Sequence, residues 1–509
     1  MRLSPNTPYI NLSSHLGLLY QLSTINHQLS TINYRMSTRP YLFYGLTNSI
    51  CSQCLVKVEA KIIFRDEAVY LVKHCLTHGR EEVLIADDIE YYKLCQDFIK
   101  PGDMPRHFNT PIERGCPYDC GLCPDHEQHS CVTLVEITDR CNLDCPICYA
   151  DSGAAAVSNL TDKPRNHRSL AEIELMLDAV VRNEGEPDIV QLSGGEPTVH
   201  PQFFEVLDLA KTKPIKHLMI NTNGVRIATD RAFCERLAGY LPGIEVYLQF
   251  DSFEEKALRE LRGADLRQMR QRAIANLNEF NISTTLVVTV KKGLNDGELG
   301  KIIDYALAQK CVRGVTFQPI QVAGRLEGFD PQVDRYPLTA VRRSILEQSP
   351  HFKSEDLLPV PCHPDCLAMG YALKVDGKVI PLAGLVDPST FLKLMPNSIV
   401  YEQNDTLKQK LFDLFSTGNS PMMSAVKMEQ LLCCLPLVAV PQGLTYENVF
   451  RILIVQFLDP YNFDVRSVKR SCIHMAQTNG QLIPFDTFNI FYRDGAPGAH
   501  LVTKAGDRS

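Results

Sequence analysis

The sequence predicts an α/β fold built on a parallel sheet of repeated βα units. From residue 132 onward, apolar runs typical of buried strands alternate with segments of helical periodicity. The 509 residues are 45% hydrophobic and 22% charged, which is usual for a folded chain of several domains. In addition, 11 of the 18 cysteines lie between Cys51 and Cys148, and such clustering indicates metal ligation.

Six strands are predicted in the sheet. They cover Val132 to Thr138, Ile189 to Ser193, His217 to Thr222, Glu245 to Phe250, Thr284 to Val290 and Gly314 to Pro319. Ser169 and Glu172 form a capping box that begins the helix after the first strand. Later helices are predicted over Ala228 to Ala238, Asp265 to Phe280 and Asp296 to Gln309, and the pattern after Arg325 is helical and irregular. In such folds, ligands bind at the carboxyl ends of the strands.

Composition shifts along the chain predict five segments. The hexapeptide QLSTIN occurs twice, at residues 21–26 and 28–33, which is typical of low complexity. This part is either a disordered tail or translated repeat DNA that lies upstream of a true start at Met36. We favour the second explanation. The expected segments are a low-complexity or mis-started stretch (1–46), a metal ribbon similar to rubredoxin or a zinc ribbon (47–100), an auxiliary cluster loop (101–131), the βα region (132–330) and a C-terminal region with a possible further cluster (331–509).

Charge and hydropathy exclude several classes of protein. Lys and Arg number 52 against 59 Asp and Glu, a net charge of −7 that lacks the positive field of nucleic-acid binding proteins. The longest apolar runs, such as Leu431 to Val440, are shorter than the roughly 20 residues of a membrane span. No stretch resembles a cleavable signal, so we expect a cytoplasmic protein.

Three groups of cysteines are candidates for closed metal sites, two of them compact in sequence and the third gathered over long separations. Cys51, Cys54, Cys75 and His78 offer three sulfurs and one nitrogen, a set that suits tetrahedral zinc or a single iron. An auxiliary [4Fe–4S] cluster, in preference to structural zinc, is predicted on Cys116, Cys120, Cys123 and Cys131. A third set is Cys362, Cys366, Cys472 and either Cys434 or Cys433. Cys95, Cys234 and Cys311 lie in apolar contexts and are expected only to pack.

A fourth group of cysteines is incomplete. Cys141, Cys145 and Cys148 follow the first predicted strand, spaced by three and then two residues. Three thiolates leave one iron of a [4Fe–4S] cubane open to a small molecule, although a zinc loop or a chance cluster would show the same cysteines. The loop after the second strand is Ser193-Gly-Gly-Glu196-Pro, whose glycines permit close backbone approach and whose carboxylate can accept hydrogen bonds from an ammonium group.

Together, TDRCNLDCPICYA and SGGEP resemble the radical S-adenosylmethionine superfamily. The resemblance implies that the iron left open by Cys141, Cys145 and Cys148 chelates S-adenosylmethionine and that Tyr149 faces the nucleotide. It also implies that Glu196 and the backbone of Gly194 and Gly195 hold the methionyl amine. The resemblance further implies that Asn221, Asn223, Gln249 and Asp251 contact the cofactor or the substrate. It implies this less specifically for Gln318 and Arg325, which could equally be ordinary loop residues. Glu254, Glu255, Arg259 and Arg262 are expected to form a solvated helix face.

The layout from CSQC through GCPYDCGLCPDHEQHSC resembles the branch that contains tetraether lipid synthase and pterin methylases. One departure is Leu76, which stands in the second ribbon knuckle where the branch has proline. The branch implies a partial (β/α)6 barrel, auxiliary clusters, and reductive cleavage of S-adenosylmethionine followed by hydrogen abstraction from a substrate carbon.

The substrate is not readable from these motifs, because one cofactor site serves many reactions. Lipid carbon–carbon coupling is one expectation, with the apolar stretches Leu431 to Val440 and Phe450 to Leu458 lining a channel, although such stretches are more often core helices. Alternatives are methylation of a pterin or other small molecule, maturation of a peptide, and a noncatalytic iron–sulfur electron-transfer protein. Expected partners are a small-molecule or lipid substrate and an electron donor such as flavodoxin or ferredoxin.

Overall fold

A computed structural model describes residues 39–155, 157, 164–375, 377–382 and 448–493. The chain divides at residue 42 into two units, and the account below concerns the second, residues 43–509. Several predictions lie outside the described residues: the QLSTIN repeats and the start at Met36, the stretch Leu431 to Val440, and the ligands Cys433 and Cys434. None of the described helices is long and apolar enough to cross a bilayer.

The N-terminal part of this unit is a four-stranded sheet in which the strands follow one another in order. Its strands are β1 (Leu42–Ile50), β2 (Lys57–Arg65), β3 (Ala68–Cys75) and β4 (Gly79–Ala86), followed by helix α1 (Ile89–Asp97). The β2–β3 and β3–β4 pairs are antiparallel. Alternate residues of β2 are buried, among them Ala60, Ile62 and Phe64, and they pack against β3 and β4.

The predicted parallel sheet is present, and each of its six strands pairs with the next in sequence. The strands are β5 (Val132–Thr138), β6 (Ile189–Gly194), β7 (His217–Thr222), β8 (Ile244–Gln249), β9 (Thr284–Val290) and β10 (Val312–Pro319). All bounds lie within two residues of the predicted ones. The strands are buried almost throughout because both faces of the sheet are covered.

Helices connect these strands and complete the partial (β/α)6 barrel. They are α2 (Leu170–Glu184), α3 (Phe203–Lys211), α4 (Val225–Thr229), α5 (Arg231–Ala238), α6 (Glu255–Arg262), α7 (Arg267–Glu279), α8 (Leu299–Ala308) and α9 (Leu338–Gln348). The capping box of Ser169 and Glu172 is confirmed. The single helix predicted over Ala228 to Ala238 is wrong, because extended Asp230 ends α4 and then caps α5 by accepting a hydrogen bond from Phe233 N.

The C-terminal region extends the sheet at both edges, which corrects the expectation of a helical region after Arg325. The remaining elements are β11 (Leu358–Pro359), β12 (Leu367–Val375), β13 (Lys378–Pro381), β14 (Val449–Val455), α10 (Val465–Val468), β15 (Ile473–Ala476), β16 (Leu482–Pro484) and α11 (Phe485–Thr487). Strand β14 pairs in parallel with β10, and β15 pairs in parallel with β5. The apolar stretch at Phe450 is therefore a strand, as its β-branched residues favour, and not a core helix.

One buried ion pair ties β14 to the barrel interior. Glu245 on β8 is fully buried, and its carboxylate accepts hydrogen bonds from Arg451 on β14 (2.8 Å) and Thr285 on β9 (2.5 Å). His217 on β7 lies 3.2 Å from its other oxygen. Burial alone would raise the pKa of Glu245, but the charges of Arg451 and His217 hold it well below its usual range.

We expect Arg451→Met to lower the free energy of unfolding by about 3–5 kcal/mol, because it leaves the Glu245 carboxylate buried without its cation. Urea denaturation followed by circular dichroism measures the loss. The matched control is Arg231→Met, which removes the exposed Arg231–Glu279 pair and should change stability little. An equal, small effect of both substitutions would contradict the role given to Arg451.

Candidate functional site

The cysteine loop of residues 141–148 begins three residues beyond β5, at the carboxyl end of the sheet, and Arg325 holds its far half. The Arg325 guanidinium donates to Cys145 O (2.7 Å) and Ser152 O (2.9 Å). Its backbone exchanges two hydrogen bonds with Cys148, at 2.8 and 3.0 Å. The side chain of Arg325 therefore fixes the loop that carries the three thiols.

Asn223, which follows β7, holds the near half of the same loop. Its Nδ2 donates to Asn142 Oδ1 (2.6 Å) and lies 3.8 Å from Cys141 Sγ. Burial, with a contribution from Glu196, raises the pKa of the Cys141 thiol to about 12. Such a thiol ionises when a cation binds it, and three thiolates are soft ligands that suit iron or zinc.

The two glycines at the end of β6, Gly194 and Gly195, allow the cysteine loop to approach the sheet. Gly194 has a φ of 119°, and a Cβ atom there would lie 2.1 Å from Thr138 O. At Gly195 a Cβ atom would lie 2.2 Å from Arg140 O. Without Cβ atoms, the two backbones come close enough to form hydrogen bonds from Gly195 N to Thr138 O (2.8 Å) and from Glu196 N to Arg140 O (2.9 Å). Both positions therefore require glycine.

Glu196 is fully buried behind these glycines. Its Oε1 accepts hydrogen bonds from the backbone and hydroxyl of Thr198 (3.1 and 2.6 Å) and from the Thr222 hydroxyl (2.7 Å). Its Oε2 accepts one from Asn223 N (2.7 Å). Burial raises its pKa, although the hydrogen bonds oppose that shift. The carboxylate thus positions Asn223, which in turn contacts the cysteine loop.

A chain of hydrogen bonds crosses the carboxyl ends of β6, β7 and β8. Tyr149 OH bonds Ser193 Oγ (3.1 Å), to which Asn221 Nδ2 also donates (3.2 Å). Gln249 Nε2 donates to Asn221 Oδ1 at 2.9 Å. Arg262 continues the chain, donating to Gln249 (2.9 Å) and to both oxygens of buried Asp251 (2.6 and 2.7 Å). The structure thus brings together four predicted residues, Tyr149, Asn221, Gln249 and Asp251, from three separate segments of the chain.

Ser193 was not predicted as a site residue, and Arg262 was predicted at the wrong place. Only 13% of the Arg262 side chain is exposed, so its assignment to a solvated helix face is wrong, whereas Arg259 on the same helix is 59% exposed. A signal was present, since Arg262 follows buried Leu258 by four residues and therefore lies on the inward face of α6. Burial alone would raise the pKa of Asp251, but the charge of Arg262 lowers it.

A cavity lies against the cysteine loop, and residues of the barrel and of the C-terminal strands line it. Cys141, Cys145 and Cys148 line it together with Gly194 and Gly195. Its polar side chains are mainly Gln191, Asn221, Asn223, Gln249, Gln318 and Arg451. Its apolar side chains include Leu134, Ile189, Met219, Leu453, Val455, Phe457 and Phe485. The rings of Phe457 and Phe485 lie 4.0 Å apart, and Tyr149 lies 5.2 Å from Phe485.

The ribbon ligands converge as a tetrahedral site requires. The ligand atoms of Cys51, Cys54, Cys75 and His78 all lie within 4.8 Å of one another. Cys54 and Cys75 sulfurs are 3.8 Å apart, and His78 Nδ1 lies 3.4 Å from Cys51 Sγ and 3.6 Å from Cys75 Sγ. Zinc–sulfur bonds of about 2.3 Å and zinc–nitrogen bonds of about 2.0 Å give tetrahedral edges of roughly 3.5–3.8 Å. These four residues therefore fit a single zinc or iron ion.

Cys131 lies beside two cysteines of the C-terminal region. Its sulfur and those of Cys362 and Cys472 all lie within 4.8 Å of one another, and the cluster on Cys116, Cys120, Cys123 and Cys131 stays a prediction. The position of Cys131 reflects long-range pairing, because β15 places Cys472 beside the start of β5. Cys366 Sγ lies 3.5 Å from Ser467 Oγ, and Cys120 Sγ accepts a hydrogen bond from Thr487 Oγ1 (2.9 Å).

Comparison with known proteins gives matches over the N-terminal ribbon and over the barrel. A family model described as the Radical SAM superfamily matches residues 135–306, and one described as the HMPTM N-terminal zinc ribbon domain matches residues 43–87. The 7,8-dihydro-6-hydroxymethylpterin dimethyltransferase of Methanocaldococcus jannaschii is 30% identical over 483 residues, which is 88% of this chain and 94% of that protein.

More distant matches cover less of the chain. Mycofactocin maturase MftC of Mycobacterium ulcerans is 28% identical over 217 residues, 43% of this chain and 54% of that protein. Among solved structures, Streptococcus suis SuiB bound to S-adenosylmethionine is 20% identical, with a TM-score of 0.35, over 42% of this chain and 46% of its own.

We expect Cys75→Ala to remove the metal ion of the ribbon, because three ligands remain where four converge. Zinc and iron are counted per chain by elemental analysis of purified protein. Cys95→Ala is the matched control, since Cys95 is a buried thiol of α1 outside the ligand group and its loss should leave the metal content unchanged. Equal metal content in all three proteins would exclude the ribbon as a metal site.

Proposed function

The chain belongs to the radical SAM superfamily, and we propose that Cys141, Cys145 and Cys148 hold its catalytic [4Fe–4S] cluster. The proposal depends on one observation: among the described residues, these are the three thiols that line the cavity. Three thiolates are one ligand fewer than the four that would close a [4Fe–4S] cubane. When bound, the cluster and S-adenosylmethionine together supply a 5′-deoxyadenosyl radical that takes a hydrogen atom from carbon.

Surrounding residues have distinct proposed roles in binding S-adenosylmethionine. Gly194 and Gly195 present backbone to the cavity. Glu196 is buried behind them and contributes by positioning Asn223, whose backbone N–H donates to Oε2. Tyr149 offers a ring to the nucleotide and is oriented by its bond to Ser193. The amides of Asn221 and Gln249 line the cavity. They belong to the series of hydrogen bonds that continues to the Asp251–Arg262 ion pair. Asp251 therefore acts as a positioning residue, through Arg262.

For the substrate, we propose a pterin-class heterocycle that is methylated at carbon. Amides, such as those of Gln191 and Gln318, line the cavity together with the aromatic pair Phe457 and Phe485. Amides can pair with the donor and acceptor edge of a flat ring, and aromatic side chains can stack on its face. The pterin dimethyltransferase named above is a relative across 88% of the chain and supports the same class.

Lipid carbon–carbon coupling is the second candidate, favoured by the aliphatic part of the cavity. Leu134, Ile189, Met219, Leu453 and Val455 form an apolar wall contributed by the barrel and by β14. An acyl or isoprenoid chain lying on this wall would bury its methylene groups at about 0.8 kcal/mol each. The two candidates differ in the fate of the cofactor methyl group.

The remaining metal sites are proposed to support this chemistry. Cys116, Cys120 and Cys123 are proposed to hold an auxiliary iron–sulfur centre; burial raises the pKa of the Cys116 thiol to about 12, so it too needs a cation in order to ionise. Such centres relay electrons or hold a substrate, and an external donor of the flavodoxin or ferredoxin class is proposed to supply the electrons.

We expect Cys145→Ala to abolish formation of 5′-deoxyadenosine from S-adenosylmethionine under anaerobic reducing conditions, while the other metal sites remain filled. Chromatography of the nucleoside product and metal analysis measure the two effects. Cys311→Ala serves as the control, because Cys311 is a buried packing thiol on the edge of β10. Undiminished cleavage by the Cys145 variant would overturn the proposed catalytic cluster.

The substrate class is tested with S-adenosylmethionine carrying an isotopic label on its methyl group. Incubation with a reduced pterin should give a pterin that carries the label, and Gln318→Leu should lower that yield at least tenfold because it removes an amide from the cavity. A mass change confined to a cell lipid extract, without transfer of the label, would instead establish lipid coupling.

A further inference from the structure

The cavity at the cysteine loop is lined by cations and not by carboxylates. Apart from the three thiols, the ionisable side chains of acid or base type that line it among the described residues are two arginines, Arg262 and Arg451. The acidic partners of these arginines, Asp251 and Glu245, are fully buried and are not part of the lining. The cavity therefore presents positive groups to its occupant, and such a surface is complementary to an anion.

Arg262 belongs to the end of the cavity that holds the cysteine loop. It is the last residue of α6, and a Cβ atom on the next residue, Gly263, would lie 3.4 Å from Asp144 O in that loop. Burial raises the pKa of the Cys145 thiol, and the charge of Arg262 opposes that shift. Three thiolates bring negative charge to this end, and Arg262 helps to balance it. Arg451 is therefore the cation of the lining that can serve a substrate.

Arg451 lies deeper in the barrel than the cysteine loop. It pairs with Gly314 on β10, five residues before the end of that strand at Pro319, which is about 16 Å at roughly 3.3 Å per residue. Because Gly314 has no side chain, that of Arg451 crosses β10 and reaches Thr285 on β9 (3.4 Å) and Glu245 on β8 (2.8 Å). The guanidinium thus lies inside the barrel, and only 9% of the side chain is exposed.

Hydroxyl groups lie at the same level of the barrel as this guanidinium. Tyr247 on β8 is the strand partner of Thr285, Thr285 is the partner of Gly314, and Gly314 is the partner of Arg451. Tyr247 and Thr285 line the cavity together with Arg451. A guanidinium with hydroxyl groups beside it supplies N–H and O–H donors to the several oxygens of a carboxylate or a phosphate.

We propose that the substrate carries an acidic group, a carboxylate or a phosphate, which Arg451 binds in the interior of the barrel. The inference rests on the proposed pterin-class substrate and names the chemistry of its side arm, with the ring between that arm and the cysteine loop. Glu245 and Thr285 both contact Nη2 of Arg451, so they hold one end of the guanidinium in place. Arg451 is thus a specificity-determining residue that selects substrates with an acidic arm.

The affinity of full-length, anaerobically reconstituted protein for three reduced pterins tests the proposal. The three probes are 7,8-dihydropterins whose substituent is a neutral hydroxymethyl group, the phosphate monoester of that group, or a carboxylate. Isothermal titration calorimetry should show that the wild type binds at least one acidic probe about 10–100-fold more tightly than the neutral probe, because hydrogen bonds to a charged group are the stronger ones. The tighter of the two acidic probes identifies the acidic group.

The variants separate binding by Arg451 from its role in stability. Arg451→Gln combined with Glu245→Gln removes both members of the buried ion pair, so that neither charge is left without the other, and should bind the three probes about equally. Arg451→Lys keeps the charge without the planar fork and should keep part of the preference. The matched control is Arg231→Gln combined with Glu279→Gln, an exposed ion pair outside the cavity, and it should keep the wild-type preference.

Two results would overturn the role of Arg451 and leave the pterin class standing. They are equal affinity of the wild type for the neutral and the acidic probes, and a preference that survives in the folded double variant. The wild type and Arg451→Lys decide the case if the double variant does not fold, because an unchanged preference in Arg451→Lys would also contradict recognition by the guanidinium fork. Failure of the wild type to bind any of the three probes would instead overturn the pterin class, and this inference with it.

Discussion

The carboxylate of Glu245 is the constraint around which the barrel is assembled. It is fully buried, and three other strands supply its partners: the adjacent β7 through His217, the adjacent β9 through Thr285, and the more distant β14 through Arg451. Removing any cation would leave a buried charge, so the ionised state and the position of β14 depend on each other. The distant C-terminal segment therefore becomes part of the barrel wall, and with it Leu453 and Val455 become part of the cavity.

The same dependence on distant segments governs the cysteine loop. The loop has no regular structure, and its geometry comes from the Gly195 and Glu196 amides, from Asn223 and from Arg325. These groups follow β6, β7 and β10, so the three thiols are placed by the whole carboxyl edge of the sheet. The side chains that hold the loop are themselves held by neighbours. Glu196 orients Asn223, and Arg325 donates a hydrogen bond to Asp151 at 3.1 Å. Preorganisation of this kind is what a precise metal site requires.

The sequence predicted what local periodicity and local chemistry determine. Six strands, the capping box and the convergence of the ribbon ligands follow from residues close together in the chain. The break at Asp230 was missed because the residue is both the end of one helix and the cap of the next. The inward position of Arg262 and the place of Cys131 beside Cys472 were missed because they depend on contacts with residues 11 to 341 positions away, which no periodicity records. Cysteine spacing therefore predicts candidate ligands but not which distant cysteines lie beside one another.

Strand β5 joins the group of Cys131, Cys362 and Cys472 to the cysteine loop. It begins directly after Cys131 and ends three residues before Cys141, so its seven residues separate the two groups of cysteines by about 23 Å. The pairing of β5 with β15 fixes where the strand begins, and the cysteine loop depends on where the strand ends. Because β5 is buried at every residue, it transmits its position as a rigid element. The C-terminal strand β15 therefore contributes to the placement of the three thiols, although it pairs only with the first residues of β5.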